Sequence, residues 1–163
     1  MRPCRPSNLS TRAFERRRLL RFVPCALLSP LVEPFAGVAR ADEQAGFKLI
    51  VHPHGPARAA SRELITDVFL KRVARWEDGE AIKPVDQRPD ARPRSSFSSS
   101  ILRRSVAAVR RYWQQQIFSG RGVPPPELAS EEAVVAYVLN HRGAIGYVGA
   151  ATDTASVRVL RVR

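Results

Sequence analysis

The sequence predicts an α/β fold: a mixed sheet flanked by helices. Three observations carry that prediction. A β-branched, apolar strand pattern opens the region after residue 46, and a second one lies near residue 145. Between them run amphipathic segments that each begin at a serine, the residue type that caps helices. The resulting order, β-α-β-α-α-α-β-β, is that of a compact sandwich rather than a bundle or an all-β barrel. The composition agrees. Of 163 residues, 44% are hydrophobic and 26% charged, which argues against wholesale disorder or a fibrous repeat.

Residues 1–41 read differently. Arg12, Arg16, Arg17, Arg18 and Arg21 form a basic block, followed by an apolar stretch from Phe22 to Val38 and by Ala39-Arg40-Ala41. Basic, apolar and small-residue segments in that order describe a secretory signal peptide cut near Ala41. The alternative is a disordered basic leader on a cytoplasmic protein. Arg16-Arg17-Arg18-Leu19-Leu20-Arg21 also loosely resembles a twin-arginine export signal. Both cysteines, Cys4 and Cys25, fall in this segment, so residues 42–163 hold no disulfide. Charge divides evenly. Residues 1–41 carry eight Arg and two Glu, and residues 42–163 carry 19 Lys+Arg and 13 Asp+Glu, so each part is +6 of the total +12. A mature region with that moderate excess suits an anionic ligand or surface without demanding nucleic acid.

Residues 42–163 form the predicted domain. Phe47 to His52 is a strand, ended by the turn formers His52-Pro53-His54-Gly55-Pro56. Ser61 caps a helix from Arg62 to about Lys71, with Leu64, Ile65, Val68 and Phe69 on one face. Trp76 packs beneath the next loop, where Asp78-Gly79 turns. Ile82 to Val85 is a short second strand. Gln87 to Pro93 is a loop, and a short helix is expected near 95–103. Ser105 caps a longer helix to about Phe118, with Val106, Val109, Trp113 and Ile117 on its buried side. Ser119-Gly120-Arg121-Gly122 stops it, and Pro124-Pro125-Pro126 stiffens the connection. Ser130 caps a helix with Glu131 and Glu132 in its first turn and Gly143 at its stop. Ala144 to Val148 is a buried strand. Val157 to Val162 alternates apolar residues with Arg, as a half-exposed edge strand does.

Four of these segments resemble one family. Ile65-Thr66-Asp67-Val68-Phe69-Leu70 with Trp76-Glu77-Asp78-Gly79, then Tyr112-Trp113 through Ile117-Phe118-Ser119-Gly120, then Gly143-Ala144-Ile145-Gly146-Tyr147-Val148, and the strand Phe47 to Pro53, are similar in kind and order to motifs of the periplasmic phosphate-binding proteins of ABC transporters. The resemblance covers roughly residues 47–149. It implies a single lobe of a type II periplasmic-binding-protein-like fold and a receptor that binds phosphate or another oxyanion without turnover. It implies further an ABC transporter permease as partner and a periplasmic location. One lobe leaves a ligand open on one side, so two copies pairing as a homodimer is a further expectation.

Phosphate is held by backbone N–H groups at helix N-termini, by Ser or Thr hydroxyls and by arginine. The family's loop after the second strand reads like RSDGSGT. The resemblance lays Arg88 and Asp90 onto its Arg and Asp, while Ala91, Arg92 and Pro93 stand where glycines and the first serine would be. Pro93 removes an N–H donor, and Ala91 lacks the freedom of glycine. The residues alone point to the same place. Arg92 and Arg94 precede Ser95 and Ser96 at an expected helix start, and Ser61 is a second donor set. The candidate anion site is therefore Arg88, Asp90, Arg92, Arg94, Ser95, Ser96 and Ser61. The competing reading makes the serines caps and the arginines a solvated loop.

Other chemistries find little support. There is no phosphate-binding P-loop, G-x-S-x-G or H-E-x-x-H, and no cysteine after residue 41, so no enzyme and no cofactor are expected. His52 and His54 flank Pro53 without a third ligand, which reads as a surface turn rather than a metal site. His141 suits a helix C-terminus. Arg103, Arg104, Arg110, Arg111 and Arg121 surround Tyr112 and Trp113, but helical spacing turns Trp113 inward with Val109, so nucleic acid is not expected as a partner. The alternative function is a periplasmic interaction module of the same fold that has lost phosphate binding.

Overall fold

The computed structural model describes residues 46–163. The leader and both cysteines lie outside the described residues. Two strands make the centre: β1 (Phe47–Val51) and β6 (Ala144–Gly149) pair antiparallel, from Phe47 opposite Gly149 to Val51 opposite Ile145. On the outer edge of β6, β3 (Lys83–Pro84) runs parallel to it. On the outer edge of β1, β7 (Arg158–Val159) runs antiparallel. The sheet is thus mixed, as the sequence predicts.

Strand periodicity assigns the two faces. Phe47, Leu49 and Val51 with Ile145 and Tyr147 face one cluster. Helices α1 (Arg62–Phe69), α2 (Arg92–Ser100) and α3 (Val106–Phe118) cover it through Ile65, Phe69, Phe97, Val109 and Trp113. Ile50, Ala144 and Val148 face the other side, where α4 (Glu131–Asn140) lays down Val134 and Val138. A Cβ added at Gly146 would meet Val134 Cγ1 at 2.6 Å and Val85 Cγ2 at 3.0 Å, so α4 sits against the sheet only because this residue has no side chain. Gly143 is tighter still: its Cβ would lie 2.0 Å from the Ala81 carbonyl oxygen, and its own carbonyl accepts hydrogen bonds from Trp76 Nε1 and the Lys83 amide, each at 3.1 Å. Trp76 is buried under that loop as expected.

The serine caps fall where the sequence puts them. Ser61, Ser105 and Ser130 accept from the amides of Leu64, Ala108 and Ala133 at 3.1, 3.2 and 3.2 Å. Three elements differ. The short helix begins at Arg92, not near Ser95, because Pro93 fits the first helical turn, where its missing N–H costs nothing. The terminal strand breaks at buried Leu160, whose amide donates to Leu49 O. Its second part, β8 (Arg161–Val162), leaves the main sheet and pairs in parallel with β2 (Ala59–Ala60). Past the predicted second strand, β4 (Asp86–Gln87) pairs in parallel with β5 (Glu127–Leu128), neither of which shows a strand pattern. Ile117 is half-exposed instead of buried, since α3 continues beyond Trp113, its last buried contact with the core. Among the described residues no helix is long and apolar enough to cross a membrane.

Candidate functional site

β3 and β4 deliver the chain to the candidate loop. Val85 is held by β6, its amide donating to Ile145 O at 2.9 Å, and this drives the next two residues, Asp86 and Gln87, into the interior. A carboxylate there must find partners. Arg94, in the first turn of α2 and 2% exposed, forms an ion pair with Asp86 through Nη1. The Tyr147 hydroxyl donates to Asp86 Oδ1, and the Gln87 amide donates to the same oxygen at 2.9 Å. Gln87 Nε2 closes the ring on Tyr147 O at 2.7 Å. Phe97 stacks on the Tyr147 ring at 4.1 Å and shields the cluster.

Burial sets the electrostatics. It pushes the Tyr147 hydroxyl up to about 12, against the opposing pull of the Arg94 charge. Burial also lowers Arg94 from the usual guanidinium value, although Tyr147 and Glu127 favour its charged form. Two buried polar atoms, Arg94 Nε and Ser98 Oγ, have no hydrogen-bond partner among the described residues.

The structure divides the candidate anion residues into three groups. Arg88 and Asp90 pair on the surface at 3.3 Å, and Arg92 is exposed beside them. These surround the first turn of α2, whose N-cap, Ala91, offers no side-chain hydrogen bond. Arg94 points the other way, into the Asp86 pair. Ser95 is exposed but lies inside the helix, its hydroxyl donating to Arg92 O at 3.0 Å, a local bond typical of mid-helix serine. Ser96 faces the start of β1: a Cβ on Gly46 would meet its Oγ at 3.3 Å. Ser61 caps α1, and no hydrogen bond or ion pair among the described residues joins it to Arg88–Ser96.

Two surface clefts lie elsewhere. One of about 560 Å³ is floored by Leu64, Val73 and Trp76, and one of about 520 Å³ by Thr66, Ile101 and Leu102. Neither is lined by any candidate anion residue. His52 and His54 sit with ring centres 5.8 Å apart, the His54 amide donating to His52 Nδ1. His141 stacks on Tyr137 at the end of α4, 4.1 Å between centres.

Sequence reasoning missed Asp86, Gln87 and Tyr147. A signal was there: Asp-Gln directly follows the apolar Val85, so a carboxylate is forced next to a core strand and needs a cation nearby.

No family model matches the sequence, and no curated protein is matched. Solved structures do match. An ABC-type phosphate transport receptor from Vibrio cholerae is 16% identical, with TM-score 0.56, over 72% of this chain and 46% of that one. A phosphate-bound substrate-binding protein assigned to phosphate ABC transport in Clostridium perfringens is 18% identical, with TM-score 0.55, over 72% and 44%. PstS from Borrelia burgdorferi is 13% identical, with TM-score 0.55, over 72% and 47%. This chain therefore spans less than half the length of the receptors it matches, and over that span it has their mixed α/β fold.

Proposed function

We propose that residues 42–163 form a non-catalytic binding protein that takes phosphate or a similar oxyanion at the N-terminal turn of α2. The observation that carries this reading is the uncapped first turn of α2 with exposed Arg88 and Arg92 beside it. Such a turn offers partial positive charge, and two guanidinium groups add to it. The fold likeness to receptors named for phosphate supports the same ligand class. Asp90 would accept a proton from a protonated phosphate and so favour it over sulfate. Residues 1–41 would direct the chain to the periplasm, with an ABC transporter permease as partner.

One observation favours a second reading. Arg94 is already neutralised by Asp86, a carboxylate of its own chain, so the guanidinium best placed for a buried anion is taken. On that reading the domain is an interaction module that has lost phosphate binding.

Titration calorimetry separates the two. Phosphate should bind weakly, Arg92→Ala should weaken it by about tenfold, and Asp90→Asn should erase the preference over sulfate. No heat at millimolar phosphate would leave the interaction module as the function.

A further inference from the structure

We propose that the end of α3 and the turn after it form a docking tip for an anionic lipid bilayer. Phe118 is 90% exposed, Val123 62% and Ile117 50%; these are three of the four exposed large apolar side chains among the described residues, and they fall within seven consecutive residues of the chain. Gly120, at φ +68°, turns the chain just after the helix, and Val123 follows three residues later. Nothing described covers this tip.

Charge identifies the occupant. From Ala91 to Pro126 the chain holds seven arginines and no aspartate or glutamate. Arg110 and Arg111 precede Ile117 and Phe118 by seven residues each, so each cation shares a helix face with one apolar residue. Arg121 stands between Phe118 and Val123. Arg110, Arg111 and Arg121 form no ion pair with a described residue. An apolar wedge with a guanidinium collar matches the acyl boundary and the negative headgroups of a bilayer surface. A nucleic acid fits less well, because the aromatic rings that could stack are engaged. Trp113 is buried, and Tyr112 bonds Leu70 O while lying under Arg104. This inference is independent of the oxyanion reading: it uses neither Arg88, Asp90 nor Arg92.

Amide hydrogen exchange on the full chain reads the tip directly. With vesicles of equal parts phosphatidylglycerol and phosphatidylcholine at low salt, amides of Ile117–Val123 should become protected. With phosphatidylcholine alone they should not. Phe118→Ser, at a position too exposed to affect folding, should remove that protection and weaken cosedimentation by about tenfold. Arg110→Glu and Arg111→Glu should each weaken it at least about fivefold. Association confined to residues 1–45 with an unprotected tip would overturn the proposal, as would equal protection on neutral vesicles. Binding to DNA or to a protein partner that protects the tip while vesicles do not would overturn it too.

Discussion

Arg94 is a full charge held away from water, and its surroundings decide what substitution does. Arg94→Met would strand the Asp86 carboxylate in the interior, and the expected loss is about 3–5 kcal/mol in denaturant unfolding. Changing Asp86 to Leu in the same chain should recover most of that loss, since an apolar pair needs no counter-charge. Tyr147 adds a pH dependence. Its folded value of about 12 lies above the ordinary tyrosine value near 10. The un-ionised hydroxyl therefore stabilises the fold fully below about pH 10, and that contribution fades as pH climbs through about 12, by about 2–3 kcal/mol in all. Unfolding free energy measured across that window should fall in the parent, and Tyr147→Phe should flatten the slope. Only the carboxylate half of this cluster was legible in the sequence, for a physical reason. Arginine is seldom buried, so Arg94 reads as one more member of a solvated basic loop, and its partner lies eight residues back.

At the scale of elements, glycine decides how closely helix and loop approach the sheet. Gly146→Ala pushes a methyl into Val134 and Val85, side chains that can shift, and should cost about 1–3 kcal/mol. Gly143→Ala meets the Ala81 backbone, which cannot yield without breaking the Trp76 and Lys83 hydrogen bonds. It should cost more, to the point of lost expression as soluble protein. Thermal melts of the two variants check the order. Elements of this kind were the most legible part of the sequence. Three serine caps and the apolar strands β1 and β6 follow from local chemistry, whereas Gly143 is not the helix stop it reads as: α4 ends at Asn140 with extended His141 as its C-cap, and Gly143 serves the close approach to Ala81 instead. The two-residue strands did not show, because a pair that short is set by what it lies beside. Ala59–Ala60 is a strand only because β8 arrives next to it, and Glu127–Leu128 only because β4 does.

The whole molecule presents one candidate rim and no opposing wall among the described residues. If two copies supply both walls, sedimentation velocity should show a dimer that grows with phosphate and is lost in Arg92→Ala; a monomer at all phosphate concentrations would count against pairing. The architecture also bears on how the protein is made. The two longest strands, β1 and β6, are about a hundred residues apart in the chain, so the sheet closes only through a very non-local contact. On the ribosome β1 emerges long before its partners are synthesised, and until β6 and β7 follow, neither edge of its backbone has a strand to pair with. The nascent polypeptide therefore carries an unpaired strand until β6 has been made. That interval is a window in which a chaperone can take hold of the strand before the sheet closes over it.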